Sequence, residues 1–125
     1  MSFDWTDYLD LARHLARSGS IHSGGEAEMR AAISRAYYAA FCKSRNYLRD
    51  IDHDPFSSGP NVHRDVQDKF SSSRDHRRRS IGQDLSRLRR LRNIADYDDR
   101  CINLSKNTAF ALGMAESIIS DLKNL

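Results

Sequence analysis

The chain has 125 residues, of which 39% are hydrophobic and 30% charged, and its net charge is +3. That length suits one domain with one core and leaves too little for two. No apolar run approaches the ~20 residues of a membrane span, and the opening Met1-Ser2-Phe3-Asp4-Trp5 lacks the basic-then-apolar layout of a signal peptide, so residues 1–125 are expected to form a single cytoplasmic domain.

The first helix is expected from about Phe3 to Arg17. Trp5, Tyr8, Leu9, Ala12, Leu15 and Ala16 fall at helical spacing, with Gly19 placed to end the helix. Ser20 to Gly25, with two glycines, reads as a loop. A long second helix follows from about Glu26 to Arg49, lined on one face by Met29, Ile33, Ala36, Tyr37, Ala40, Phe41, Tyr47 and Leu48. On the other side of that helix Arg35, Tyr38, Arg45 and Arg49 form a basic and aromatic face. Such a face can hold phosphates and stack bases, contact a partner, or simply be solvated.

Two prolines, a glycine and two serines make Ile51 to Pro60 a loop. Asn61 is placed to cap a short third helix with Val62, Val66 and Phe70 on its apolar side, and Ser71-Ser72-Ser73 breaks it. The fourth helix is expected from about Arg77 to Tyr97. After the polar connector Asp98-Asp99-Arg100, Asn103 or Ser105 caps a last helix that ends near Leu122. Its stripe is Thr108, Ala111, Leu112, Ala115, Ile118, Ile119 and Leu122. No segment alternates with a strand period. Short connections between amphipathic helices imply an all-α, antiparallel up-and-down four-helix bundle with one extra short helix.

Charge is unevenly distributed. Between Ser72 and Arg92 there are eight arginines against two aspartates, so this stretch carries +6 and the rest of the chain −3. A basic segment on a slightly acidic body points to an anionic partner such as RNA, a phosphate or an acidic protein, or else to a solvated face kept for solubility. Arg77, Arg78, Arg79 and Arg89, together with Arg35 and Tyr38, are the candidate phosphate-binding residues.

Within that stretch one arginine is out of place. Ile81, Leu85, Leu88 and Ala95 set the apolar face of the fourth helix, with Leu91 at its margin. Their steps of 4, 3 and 7 leave one gap, and Arg92 fills it. A guanidinium keeps its proton when buried, and burying it without partners costs several kcal/mol. Arg92 therefore either pairs with Asp96 one turn on and pins the helix, or faces a cleft where a ligand supplies the anion.

Cys42 and Cys101 have no CxxC or other metal spacing and read as reduced, structural thiols. No two histidines stand at i, i+4, so neither a metal site nor a cofactor is expected. His14, His22 and His53 have no visible partners. His76 adjoins the Arg77-Arg78-Arg79 run and suits phosphate binding or plain solvation.

The stretch Ser34-Arg35-Ala36-Tyr37-Tyr38-Ala39-Ala40-Phe41 resembles the long-helix signature of small prokaryotic HEPN proteins. Leu91-Arg92-Asn93-Ile94-Ala95-Asp96-Tyr97-Asp98 is similar to their second signature, and Val62-His63-Arg64-Asp65-Val66 stands between the two, where many relatives carry a histidine. The resemblance implies a HEPN-like bundle and a homodimer whose arginine-bearing helices face a shared cleft. It also implies a place in toxin–antitoxin or defence systems, often as a metal-independent endoribonuclease, and a partner such as an antitoxin or a nucleotidyltransferase. The family's catalytic arginine and following polar residue correspond to Arg92 and Asn93. Its histidine would fall where this chain has Asp96, Tyr97 and Asp98, and no histidine follows Arg92.

Metal-free RNA cleavage needs a base, an acid and a cation for the phosphorane. Arg92 suits the last role. His63 is the best candidate for acid or base, with Asp96 or Tyr97 assisting, although a tyrosine with a pKa near ~10 is a poor base at neutral pH. His63 can equally be a surface histidine at a helix start, where the dipole disfavours its charged form. A non-catalytic module that binds RNA, a nucleotide or a partner protein is the alternative reading.

Overall fold

The computed structural model describes residues 2–20 in full, the backbone of Ile21, and residues 25–56 and 58–125. The centre of the first expected loop, with His22, lies outside the described residues, as does Ser57. Among the described residues five helices follow in order: α1 (Thr6–Ile21), α2 (Glu26–Asp50), α3 (Val62–Ser71), α4 (His76–Tyr97) and α5 (Leu104–Lys123). There is no strand among the described residues.

The helix ends differ from the expected ones for local reasons. Helix α1 starts three residues late, because the Asp4 carboxylate accepts a hydrogen bond from the Thr6 amide at 3.0 Å and serves as its cap. Gly19 does not end α1. It is buried inside the helix, where a Cβ would stand 2.8 Å from the Gly25 carbonyl oxygen and 2.9 Å from Met29 Cγ, so its role is to let α1 and α2 approach. Asn61 and Asn103 occupy the N-cap positions of α3 and α5, but neither side chain bonds the helix; Asn103 is left-handed, with φ 57°. Ser105 lies inside α5. The side-chain cap of α4 is Asp75, which accepts from the Arg78 amide at 2.9 Å.

Side-chain contacts fix the directions. Asp4 pairs with Lys43 and Arg35 lies over Tyr8, so α1 runs antiparallel to α2. Arg78 meets Asp52 just past the end of α2, while Arg30 near its start reaches the Ala95 carbonyl, so α4 is antiparallel to α2 as well. Arg77 bonds the Asn124 carbonyl, which sets α5 antiparallel to α4. The result is an up-and-down bundle of α1, α2, α4 and α5, with the short α3 laid mainly on α4.

Helix α2 packs against all four other helices, and this explains its composition. Ala36 and Ala40 of the expected stripe are fully buried, and so, beyond it, are Ala32 and Ala39, with Cys42 and Ser44 buried beside them. Ser44 satisfies its hydroxyl by donating to the Ala40 carbonyl at 2.8 Å. The core is completed by Tyr37, Phe41 and Leu48 of α2, Val66 and Phe70 of α3, Ile81, Leu85 and Leu88 of α4, and Ala111, Ala115 and Ile118 of α5. Gly82 lies at another close crossing. A Cβ there would stand 2.3 Å from Ser71 Oγ and 2.5 Å from its amide nitrogen, so α4 meets the end of α3 at a distance only glycine allows. No described helix is long and apolar enough to cross a membrane.

Candidate functional site

Arg92 follows the helical repeat of its neighbours into the interior and keeps only 7% of its surface exposed. Its guanidinium carbon lies 4.9 Å from the centre of the Tyr37 ring and 5.5 Å from that of Tyr38, so α2 meets the cation with aromatic faces. Such contacts contribute about 2 kcal/mol when water is excluded. The expected carboxylate partner is present but distant: Arg92 Nη1 and Asp96 Oδ2 are 3.9 Å apart, too far for a hydrogen bond. That Asp96 oxygen accepts from Ser34 Oγ at 3.3 Å instead. Arg92 Nε is buried with no hydrogen-bond partner among the described residues. Arg92 is thus not open in a cleft, and the expected Asp96 pairing is present as an ion pair without a hydrogen bond.

His63 completes the group from α3. Its ring stacks on Phe41 at 4.2 Å between centroids, and its Nδ1 lies 2.6 Å from the Tyr37 hydroxyl, one hydrogen bond being shared between them. Burial, with the nearby charges of Arg89 and Arg92, pushes the His63 pKa down to about 4. Burial likewise pushes the Tyr37 hydroxyl well above its ordinary value, against the opposing pull of Arg89 and Arg92. At neutral pH both groups are uncharged and linked, within the field of Arg89 and Arg92.

Two further candidates join this cluster. Arg35 lies 4.9 Å over Tyr8 and 5.5 Å over Tyr38, so an alternation of cations and rings runs from Tyr8 through Arg35 and Tyr38 to Arg92. The expected bare face of α2 is therefore largely covered by α1, and Arg45 stacks on Trp5 in the same way. Arg89 brings its charge to Tyr37 and His63, and its Nε is buried without a partner.

Other candidates are placed elsewhere. Tyr97 is 74% exposed and makes no ring contact or side-chain hydrogen bond among the described residues. Asn93 is exposed beside Arg92. Arg77, Arg78 and Arg79 stand at the opposite end of α4, ~20 Å from Arg92 at 1.5 Å per residue, and are engaged internally. Arg77 donates to the Asn124 carbonyl. Arg78 pairs with Asp52 at 2.6 Å and lies 5.4 Å over Tyr47. Arg79 donates to the Ser73 and Arg74 carbonyls. His76 is exposed next to them. Cys42 and Cys101 are both free thiols. No group of three or more His, Cys, Asp or Glu among the described residues could hold a metal ion.

One participant escapes the sequence reading. Arg30 reaches across from α2 to the end of α4, donating to the carbonyls of Ala95, Asp98 and Asp99 at 3.1, 2.5 and 3.1 Å, while its Nε bonds Glu26. It satisfies carbonyls that a helix end leaves open and holds the turn after Arg92 in place. A basic residue near a helix start carries no local signal of that role.

Comparison of the chain with protein-family models, with characterised proteins and with solved structures finds no match.

Proposed function

We propose that this chain is a HEPN-type domain of a toxin–antitoxin or defence system that engages RNA at the surface over the Arg89–Arg92 cluster, and that it binds rather than cleaves. The observation that carries this reading is the cation surplus around Tyr37. Arg92 and Arg89 both have a buried Nε without a partner, and the nearest carboxylate, Asp96, is 3.9 Å from Arg92 and engaged with Ser34. An anion brought by a ligand would supply the missing charge, and a phosphodiester is the anion such guanidinium forks fit. The three sequence pieces behind the HEPN resemblance also converge in space. Tyr37, Tyr38 and Phe41 come from the first, His63 from the second, and Arg92 from the third.

Binding is favoured over turnover by the state of His63. With a pKa of about 4 it is almost wholly neutral at pH 7 and therefore a poor acid, and a base so weak removes a hydroxyl proton slowly. Its Nδ1 is already engaged with Tyr37. The ribonuclease reading, with Arg92 and Asn93 assisted by His63, Asp96 or Tyr97, keeps one observation in its favour: His63 and Arg92 flank the same tyrosine.

Binding of labelled single-stranded RNA by the full chain, in EDTA and across a salt series, tests the proposal. The same samples are then run on denaturing gels. Saturable, salt-sensitive binding is expected, weakened about tenfold or more in Arg92→Ala, with the RNA left intact. Wild-type protein that fails to bind overturns the reading. RNA cut by the wild type but not by His63→Ala turns it into the ribonuclease. The homodimer and the antitoxin or nucleotidyltransferase partner belong to the same proposal, and light scattering of the purified chain tests the first of these.

A further inference from the structure

Helices α3 and α4 part on their solvent side to leave a trough of about 430 Å3. We infer that this trough is a second phosphate-binding site, gripped by Arg64, Arg89 and Arg90, which takes a phosphodiester of the strand bound over the Arg89–Arg92 cluster. The inference rests on the RNA-binding reading above and extends it to a place that the sequence signatures do not mark.

The trough is built by helical repeat. Ser86, Arg89, Arg90 and Asn93 stand at i, i+3, i+4 and i+7 of α4 and so form one side of it, and Arg64, Gln67 and Asp68 repeat the pattern on α3. Polar residues are ordinary on the solvent side of a helix pair, so the signal is the excess of one sign of charge. Here every lining residue is polar, and three guanidinium groups oppose the single carboxylate of Asp68. Arg64, Arg90 and Asn93 are exposed, and among the described residues their side chains take part in no hydrogen bond or ion pair. They are free to meet a ligand, unlike Arg77, Arg78 and Arg79.

Arg89 connects the two sites. Its charge is felt at Tyr37 and His63 while its side chain lines the trough, and its Nε is buried without a partner. A phosphate in the trough would lie against the same guanidinium that faces the inner cluster. Side-chain amides and a hydroxyl from Gln67, Asn93 and Ser86 add neutral donors of the kind that hold phosphate and sugar oxygens. The absence of apolar lining argues against an acidic peptide, since peptide docking depends on buried apolar or aromatic anchors.

The test uses the full chain, with Arg64→Ala and Arg90→Ala as probes and Arg17→Ala, an exposed arginine on α1, as the control. Neither probe removes an internal contact. For single-stranded RNA, each probe is expected to lower the slope of log affinity against log salt by about 0.7, with a several-fold loss of affinity, while Arg17→Ala behaves as wild type. Probes that bind as the control does would overturn the inference and leave the RNA reading standing. If the wild type binds no RNA, side-chain NMR with inorganic pyrophosphate and with a nucleoside triphosphate decides separately. Saturable shifts of the Arg64 and Arg90 Nε–H signals would sustain a phosphate site that serves free nucleotides. No shift with either, or an equal shift with an oligoglutamate peptide, would overturn it.

Discussion

Arg92 takes a position where the stripe of α4 would carry a leucine, and its surroundings offer ring faces in place of a hydrogen-bonded carboxylate. A buried charge so held is expected to be a stability burden kept for another purpose. Arg92→Met, similar in length and apolar, removes the desolvated charge together with its ring contacts and Asp96 pair, so it should unfold within about 1 kcal/mol of the wild type, while losing RNA affinity. A clear loss of stability in Arg92→Met would mean that the cation supports the fold itself. His63 makes a pH prediction. Unfolded, it binds a proton near pH 6.5; folded, only near pH 4, because burial and two arginines oppose its charge. Protonation therefore favours the unfolded chain, and the contribution of His63 to stability, complete above pH 6.5, falls away as the pH drops from about 6.5 through 4. Denaturation midpoints at pH 7, 5.5 and 4 should fall more steeply in wild type than in His63→Phe.

Between elements, two contacts decide how α4 is held. Its end is fastened by Arg30, whose loss should fray the last turn. In Arg30→Ala, amide exchange is expected to quicken at Asp98 and its neighbours, with a stability cost of about 1–3 kcal/mol from carbonyls that lose a charged donor. Its start is pressed against α3 at Gly82. Gly82→Ala gains helix propensity but collides with Ser71, and because the obstruction includes backbone the collision should win, at a cost of about 1–3 kcal/mol in thermal unfolding. The helices themselves were legible in the sequence, because repeats such as Ala111, Ala115, Ile118 and Leu122 have one period and one reading. The burial of Arg92 was legible from the same repeat. What escaped depends on distant neighbours. Gly19 looks like a helix end until Gly25 and Met29 are set beside it, Arg30 looks like a solvated arginine, and Tyr37 looks like core until His63 reaches its hydroxyl.

Across the whole molecule, α4 divides charge between its two sides. Toward α3 lie Arg64, Arg89 and Arg90; toward α5 lie Asp84, Glu116 and Asp121, with Asp84 held above the ordinary carboxylate range by burial. A polyanion should therefore meet the chain from the α3 side and be turned away from the α5 side, which orients encounter before any contact forms. Changing single charges on each side tests this. Arg90→Glu is expected to slow RNA association at low salt, and Glu116→Gln to leave it unchanged or faster. The trough also has a gauge. Beside the trough, one turn before Ser86, α4 lies against Ser71 at Gly82 with no room for a methyl group, so the approach of its two helices is limited at that point. A methyl group added there has to push α3 and α4 apart, so Gly82→Ala is expected to widen the trough without altering any residue that lines it.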